Sequence, residues 1–306
     1  MASGQEALEA PVAFPERRQP RPAWIDITVR LVREKPLGLV GAVIVLAMFC
    51  MGVFADILAP YPFDEPHYND SLQPSNLHYL LGTDFLGRDL LSRLIHGARV
   101  SLLVGLCAVA LGTVLSGSIG ITSGYFGGKF DTIVQRFIDA WMSFPPLLLL
   151  LFIMSIIGPG ALNVILVLGL VAIRESRVLR GSVLSVKVTP FVDAARVSGA
   201  SDLRILWAHV LPNVMAPIII LSTSRLGAVI LIQASLSFLG FGIPPPFPDW
   251  GRMLGLESRL YMQQAPWLAL WPGIFLSLAV FGWNVFGDAL RDLLDPRMRG
   301  AGRMTF

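Results

Sequence analysis

The chain has 306 residues, 54% hydrophobic and 15% charged, with a formal net charge of +3. A soluble domain carries roughly 25% charged residues, so this composition has too few charges to coat a water-facing surface and too much apolar area for one soluble core. It excludes a disordered chain, a nucleic-acid binder and a disulfide scaffold, and leaves an integral membrane protein.

In chain order, residues 1–36 read as a cytoplasmic tail, because Glu16, Arg17, Arg18 and several prolines leave no apolar core for a secretory signal. A membrane helix needs about 20 apolar residues, and six stretches meet or approach that length. The first covers 37–58. A long outer connection, 59–99, precedes the second at 100–122, where Gly112, Gly117 and Gly120 predict close helix packing. The third covers 137–157 after a polar helical start at 131–136, and Pro145-Pro146 should kink or reset it by removing backbone donors. A tight turn at Gly158-Pro159-Gly160 leads to the fourth, 161–173, continuing through Val178. The fifth covers 214–238 and the sixth 267–286, joined by a second outer connection at 239–266. Cys50 and Cys107 both lie in apolar runs and read as small residues of lipid-buried helices.

Basic residues set the orientation. Eighteen of the 24 lysines and arginines fall in the N-terminal segment, the second and fourth connections and the C-terminal segment; Arg88, Arg93, Arg99, Arg252 and Arg259 fall on the other side, and Arg225 lies within a span. Lysine and arginine stay cytoplasmic, which puts both termini and the 174–213 connection inside. A connection that long has structure or function of its own. Thr189-Pro190 predicts a helix start, with Thr as cap and Pro in the first turn. Gly199 stops that helix, and Ser201 or Asp202 caps a second one running toward Leu211 and ending at Pro212. Eight residues do not hold a helix alone in water. Ala194 and Ala195 give it a thin side over which another backbone could approach, so it suits insertion into a groove on a second protein.

Asp193-Ala194-Ala195, three residues, Gly199, nine residues and then His209-Val210-Leu211-Pro212 resembles the EAA loop of ABC-importer permeases, with Asp193 in place of Glu and His209 in place of Ile. Residues 81–93, from Leu81-Gly82-Thr83-Asp84 to Ser92-Arg93, and 97–102 resemble the dipeptide, oligopeptide and nickel permease subfamily. So do Ser235 to Gly242, Pro248-Asp249-Trp250-Gly251 and Gly287 to Pro296. The resemblance covers about 37–299. It implies an all-α type I ABC importer transmembrane domain of six helices with both termini cytoplasmic. The implied units are a tail (1–36), a first helix (37–58), an outer loop (59–99), a five-helix permease domain (97–290) and a C-terminal tail (291–306). It further implies a second permease subunit, one or two ATP-binding subunits carrying ATP–Mg, and an extracytoplasmic solute-binding protein, all at a bacterial inner membrane. This chain itself would hold no cofactor or metal and bind no nucleic acid. Asp193, Ala194, Ala195, Gly199, Leu211 and Pro212 would form the ATPase-coupling loop.

Arg225 is costly inside a span and is a candidate for the solute pathway or for a structural pair. Gln233, Ser235 and Ser237, late in the same span, suit interhelix hydrogen bonds or pathway lining. Arg136 and Asp139 are spaced for an ion pair. Asp84, Arg88 and Asp89 read as local ion pairs rather than a catalytic cluster, and His67, His78, His96 and His209 lack metal-ligand spacing. No Gly-x-x-x-x-Gly-Lys-Ser/Thr string occurs, so the chain is no P-loop ATPase. A stand-alone ion-coupled transporter is the alternative. It should carry intramembrane acids, and the second, fourth, fifth and sixth runs, with the fourth ended at 173, have none.

Overall fold

The computed structural model describes residues 23–294, so the tails before and after them lie outside the described residues. Helices dominate, and the described residues hold no strand beyond an isolated bridge between Thr83 and Asp89. Residues expected to be tail already form α1 (Ala23–Glu34), which leads to α2 (Pro36–Val53) and the short α3 (Ala55–Leu58). The first predicted span is therefore divided at Phe54, where the backbone leaves the helical region.

The next helix, α4 (Leu90–Phe126), is 37 residues long and starts ten residues before the predicted second span. The charges at its start hid it from an apolar count. Arg93 pairs with Asp84 at 3.4 Å, and His96 and Arg99 both reach Asp56, at 3.3 and 2.8 Å. Asp89 caps the helix, accepting from the Ser92 amide at 2.8 Å. Asp84 takes the Arg88 guanidinium at 2.7 Å, with both side chains buried. The acidic–basic string at 84–89 is thus a structural knot of an ion pair and a helix cap. Asp89→Ala is expected to cost about 1 kcal/mol through the lost cap, read as a lower thermal midpoint of the purified protein.

The third predicted span is not one helix. α5 (Gly128–Met142) and α6 (Pro146–Ile157) meet at 89°. Pro146 starts α6 and forces Pro145 before it into extended backbone, ψ 129°. α7 (Ala161–Val171), a 3-10 turn at Ala172–Glu175 and α8 (Ser176–Lys187) then follow without a gap. α7 alone has 11 residues, about 17 Å, so the fourth predicted span is a composite. α9 (Pro190–Val197), α10 (Asp202–Ile205), a π turn at Leu206–Val210 and α11 (Leu211–Phe238) come next, then α12 (Trp250–Arg252), α13 (Ser258–Tyr261) and α14 (Trp267–Leu294). Among the described residues four helical segments are long and apolar enough to cross a membrane (36–53, 90–126, 202–238 and 267–294), and five if the bent α5–α6 pair counts as one.

Three apolar clusters hold these helices together. One joins α4, α6, α7 and α11 through Val109, Leu150, Val167 and Ile230. A second gathers Leu90, Leu94, Trp250 and Leu268. The third, at the far end of α4, unites Leu179, Val183, Val192, Ile205 and Val214. Added Cβ atoms at Gly112 and Gly120 would press on Ala172 and on the Ser176 carbonyl, so these glycines do permit close packing. Gly117 has nothing within 4 Å and does not.

Candidate functional site

α9 and α10 lie at the end of α4 remote from Asp89. Pro190 sits in the first turn of α9, where its missing N–H costs nothing. Thr189 does not cap with its side chain; its hydroxyl instead donates to the Val186 carbonyl at 2.6 Å. Ser201 does cap, accepting weakly from the Arg204 amide at 3.4 Å. Gly199 has φ +76° with open space where a Cβ would stand, so the backbone angle alone demands glycine.

The thin side expected from two alanines is not formed. Consecutive helical residues point about 100° apart, and here Val192 and the half-buried Ala195 turn onto the third cluster while Asp193, Ala194 and Val197 turn out. Asp193 pairs with Arg196 at 3.2 Å on the exposed side. Val197 is 89% exposed, and Val188, Phe191, Leu203 and Trp207 at the same end are exposed as well.

Pro212 does not end a helix. The segment from Asp202 to Phe238 is continuous, and the π turn before Leu211 absorbs the proline, whose ring would strike a carbonyl of a regular preceding turn. Leu211 is half-buried against the third cluster and Pro212 is exposed. Sequence reasoning missed the residue that ties this end to the spans. Tyr125, 3% exposed at the end of α4, donates to Asp202 at 2.6 Å; its carbonyl accepts from Lys187, and the Arg196 guanidinium lies 5.8 Å from its ring centre. Its only sequence signal is an aromatic placed just before Gly127-Gly128.

The intramembrane candidates separate. Arg225 of α11 forms an ion pair with Glu175 of the same chain, and both side chains are largely buried. Glu175 lies just past the apolar run 161–173 and within its continuation to Val178, so the fourth span does contain an acid, neutralised by Arg225. Gln233, 1% exposed, donates to Asp249 and approaches Ser237 at 3.5 Å. It ties α11 to the segment before α12. Burial pushes the Asp249 carboxyl above the usual range, opposed by the Arg252 amide and by Ser237. Ser235 is half-buried; it donates to the Leu231 carbonyl at 2.8 Å and borders a cleft with Leu254 and Leu276. Asp139 meets Arg136 at 3.9 Å and also pairs with Arg177 of α8, a partner the i,i+3 spacing could not show.

These features define a helical protein with at least four segments long and apolar enough to cross a membrane. The fold resembles the MetNI methionine ABC transporter solved in an inward-facing conformation, with TM-score 0.54, 17% identity and coverage of 66% of this chain and 96% of that one. Residues 116–300 match the binding-protein-dependent transport system inner membrane component, and 23–74 match the N-terminal transmembrane domain of oligopeptide transport permease C. The chain belongs to this family of non-enzymatic, inner-membrane transport subunits. The dipeptide transport system permease protein DppC of Alkalihalophilus pseudofirmus is 36% identical over 94% of this chain and 97% of its own length. A glutathione transport system permease protein, GsiD, of Escherichia coli is 37% identical over 97% of each. A putative peptide transport permease of Brucella suis is 40% identical over 91% and 94%.

Proposed function

We propose that this chain is one of two different permease subunits of an ATP-driven importer that moves peptides or related small solutes handed over by a solute-binding protein. The exposed apolar surface of α9 and α10, locked to α4 through Tyr125, carries the proposal. Val188, Val197, Leu203 and Trp207 stand in water at one end of the protein, and such patches mark interaction sites. The occupant is an ATPase subunit, whose closure on ATP–Mg pushes α9 and, through Tyr125, the spans. Asp193, Ala194, Gly199 and Pro212 lie at that contact; Ala195 and Leu211 support it from beneath. The relatives named for dipeptide, glutathione and peptide transport support the solute class. Purification of the chain with its transport system tests the reading. Co-purified ATPase subunits and ATP-driven uptake are expected; proton-coupled uptake by the chain alone would replace it.

Six membrane crossings with both termini inside remain part of this proposal. α2, α4, the α5–α6 pair, α7 with its 3-10 extension, α11 and α14 supply them. Cysteines placed at Ser75 and Gln263 should react with an impermeant maleimide in intact cells, and one placed at Ser201 only after permeabilisation. Reaction at 201 in intact cells would reverse the orientation.

A further inference from the structure

A helix face turned to hydrocarbon carries apolar side chains, because an amide there loses water and gains no partner. One face of α14 departs from this rule. At 100° per residue, Leu270, Ile274, Ser277, Phe281, Asn284 and Asp288 fall on one stripe about 80° wide, and all six are exposed. The stripe is apolar at its start and gains polar side chains from Ser277 on. The neighbouring faces are occupied. Gly282 packs against Ile44 and Gly41 of α2, and Gly287 packs against Thr223 and Ser224 of α11.

Asn284 stands at the α11 edge of the open face. A Cβ on Gly227 of α11 would collide with its side-chain oxygen, so Gly227 makes the room that Asn284 uses. Among the described residues the Asn284 amide has no hydrogen-bond partner. The charged and amide groups deeper in these helices have partners, Arg225 in Glu175 and the Gln233 amide nitrogen in Asp249, and Thr113 meets Ser222 at 2.7 Å. The buried Ser224 hydroxyl and Trp283 indole N–H are unpartnered but, unlike Asn284, closed off from the open face. On α11, Ala228 and Leu231 are exposed and Ser235 half-exposed at the same seam.

We infer that the open seam of α11 and α14 lines the solute route, and that Asn284 is its hydrogen-bonding group for the amide groups of the passing solute. The inference rests on the reading of the chain as a peptide permease and assigns that route its residues. A primary amide both donates and accepts, so it matches the N–H and C=O of a peptide group. It bears no charge, so it binds a solute without trapping it, as passage requires. Gly227 is the positioning residue.

The test uses the whole importer in nanodiscs, where both faces are accessible. Asn284→Cys is combined with Cys50→Ala, and Cys107, exposed on α4 among the exposed apolar side chains of Leu103, Leu106 and Val114, is kept as the apolar-face reference. A charged, membrane-impermeant methanethiosulfonate is added with and without ATP–Mg, and mass spectrometry reads each site. The thiol at 284 should react about tenfold faster than Cys107 in at least one state, because only a thiol in water ionises to the reactive thiolate. A rate no higher than that of Cys107 in both states means that lipid or a partner helix covers the seam, and overturns the inference. If the complex then still captures its binding protein and hydrolyses ATP, the proposed function survives; an unmodified complex that does neither would lose that reading too. For the amide role, uptake of a radiolabelled dipeptide mixture should fall about tenfold in Asn284→Leu, the loss of one uncharged hydrogen bond, and be largely kept in Asn284→Gln. Equal uptake by the leucine variant would overturn that role.

Discussion

Arg225→Met is expected to destabilise the protein by about 3–5 kcal/mol, since removing one partner of a buried ion pair leaves the other charge uncompensated. Glu175 would be that charge, held in the 3-10 turn between α7 and α8 with its side chain 18% exposed. The pair joins α11 to that turn, so its loss should loosen both. A double variant, Arg225→Met with Glu175→Leu, should recover most of the stability, because a well-packed apolar pair often replaces a buried ion pair without penalty. Thermal unfolding of the purified complex measures both. A single variant as stable as the unaltered protein would mean that Glu175 does not depend on Arg225, and would return Arg225 to the solute pathway. The double variant also isolates function: if it is stable and transport is lost, the guanidinium has a role beyond the fold.

The second large effect is expected at α9. Val197→Asp should leave the helix intact, because Val197 is 89% exposed, yet it puts a charge into the proposed ATPase contact. An unpaired charge buried at a contact costs several kcal/mol, so ATPase retention should fall at least about tenfold. Gly199→Val acts differently. A β-branched residue at φ +76° is strained by about 1–3 kcal/mol, so the turn between α9 and α10 should open and uncouple ATP hydrolysis from uptake. Ala195→Glu pushes a carboxylate into the cluster of Val192, Ile205 and Val214 and should unfold the loop from within. ATPase stoichiometry and uptake in the purified complex separate the three. Normal values for Val197→Asp would remove α9 from the ATPase contact.

The side on which the two alanines fall shows where sequence reading stops. Their spacing from Gly199 located the loop, because a short helix, a glycine exit and a cap are local events whose causes lie within a few residues. Which alanine faces out depends on where Val192 finds its cluster, and that cluster comes from α8, α10 and α11. Likewise Arg225 was visible as a charge in an apolar run, while its partner Glu175 lies 50 positions away, beyond the end of another run.

What the sequence by itself determined is set by composition and short-range chemistry: a helical membrane protein, its long apolar helices, the break at Pro145-Pro146, the helix start at Pro190, its stop at Gly199 and the Ser201 cap of the helix that follows. What only the tertiary structure decided is set by contacts between distant segments. These are the start of α4 at Leu90, held by Asp84 and Asp56; the composite path from α7 to α8; the Tyr125 junction; the closure of Arg225 and Gln233 by internal acids; and the open seam beside Asn284. The physical reason is common to all of them. An apolar count treats each charge as a cost to be kept out of the membrane, but a charge or amide paired across helices no longer carries that cost, and pairing is a property of the packed structure.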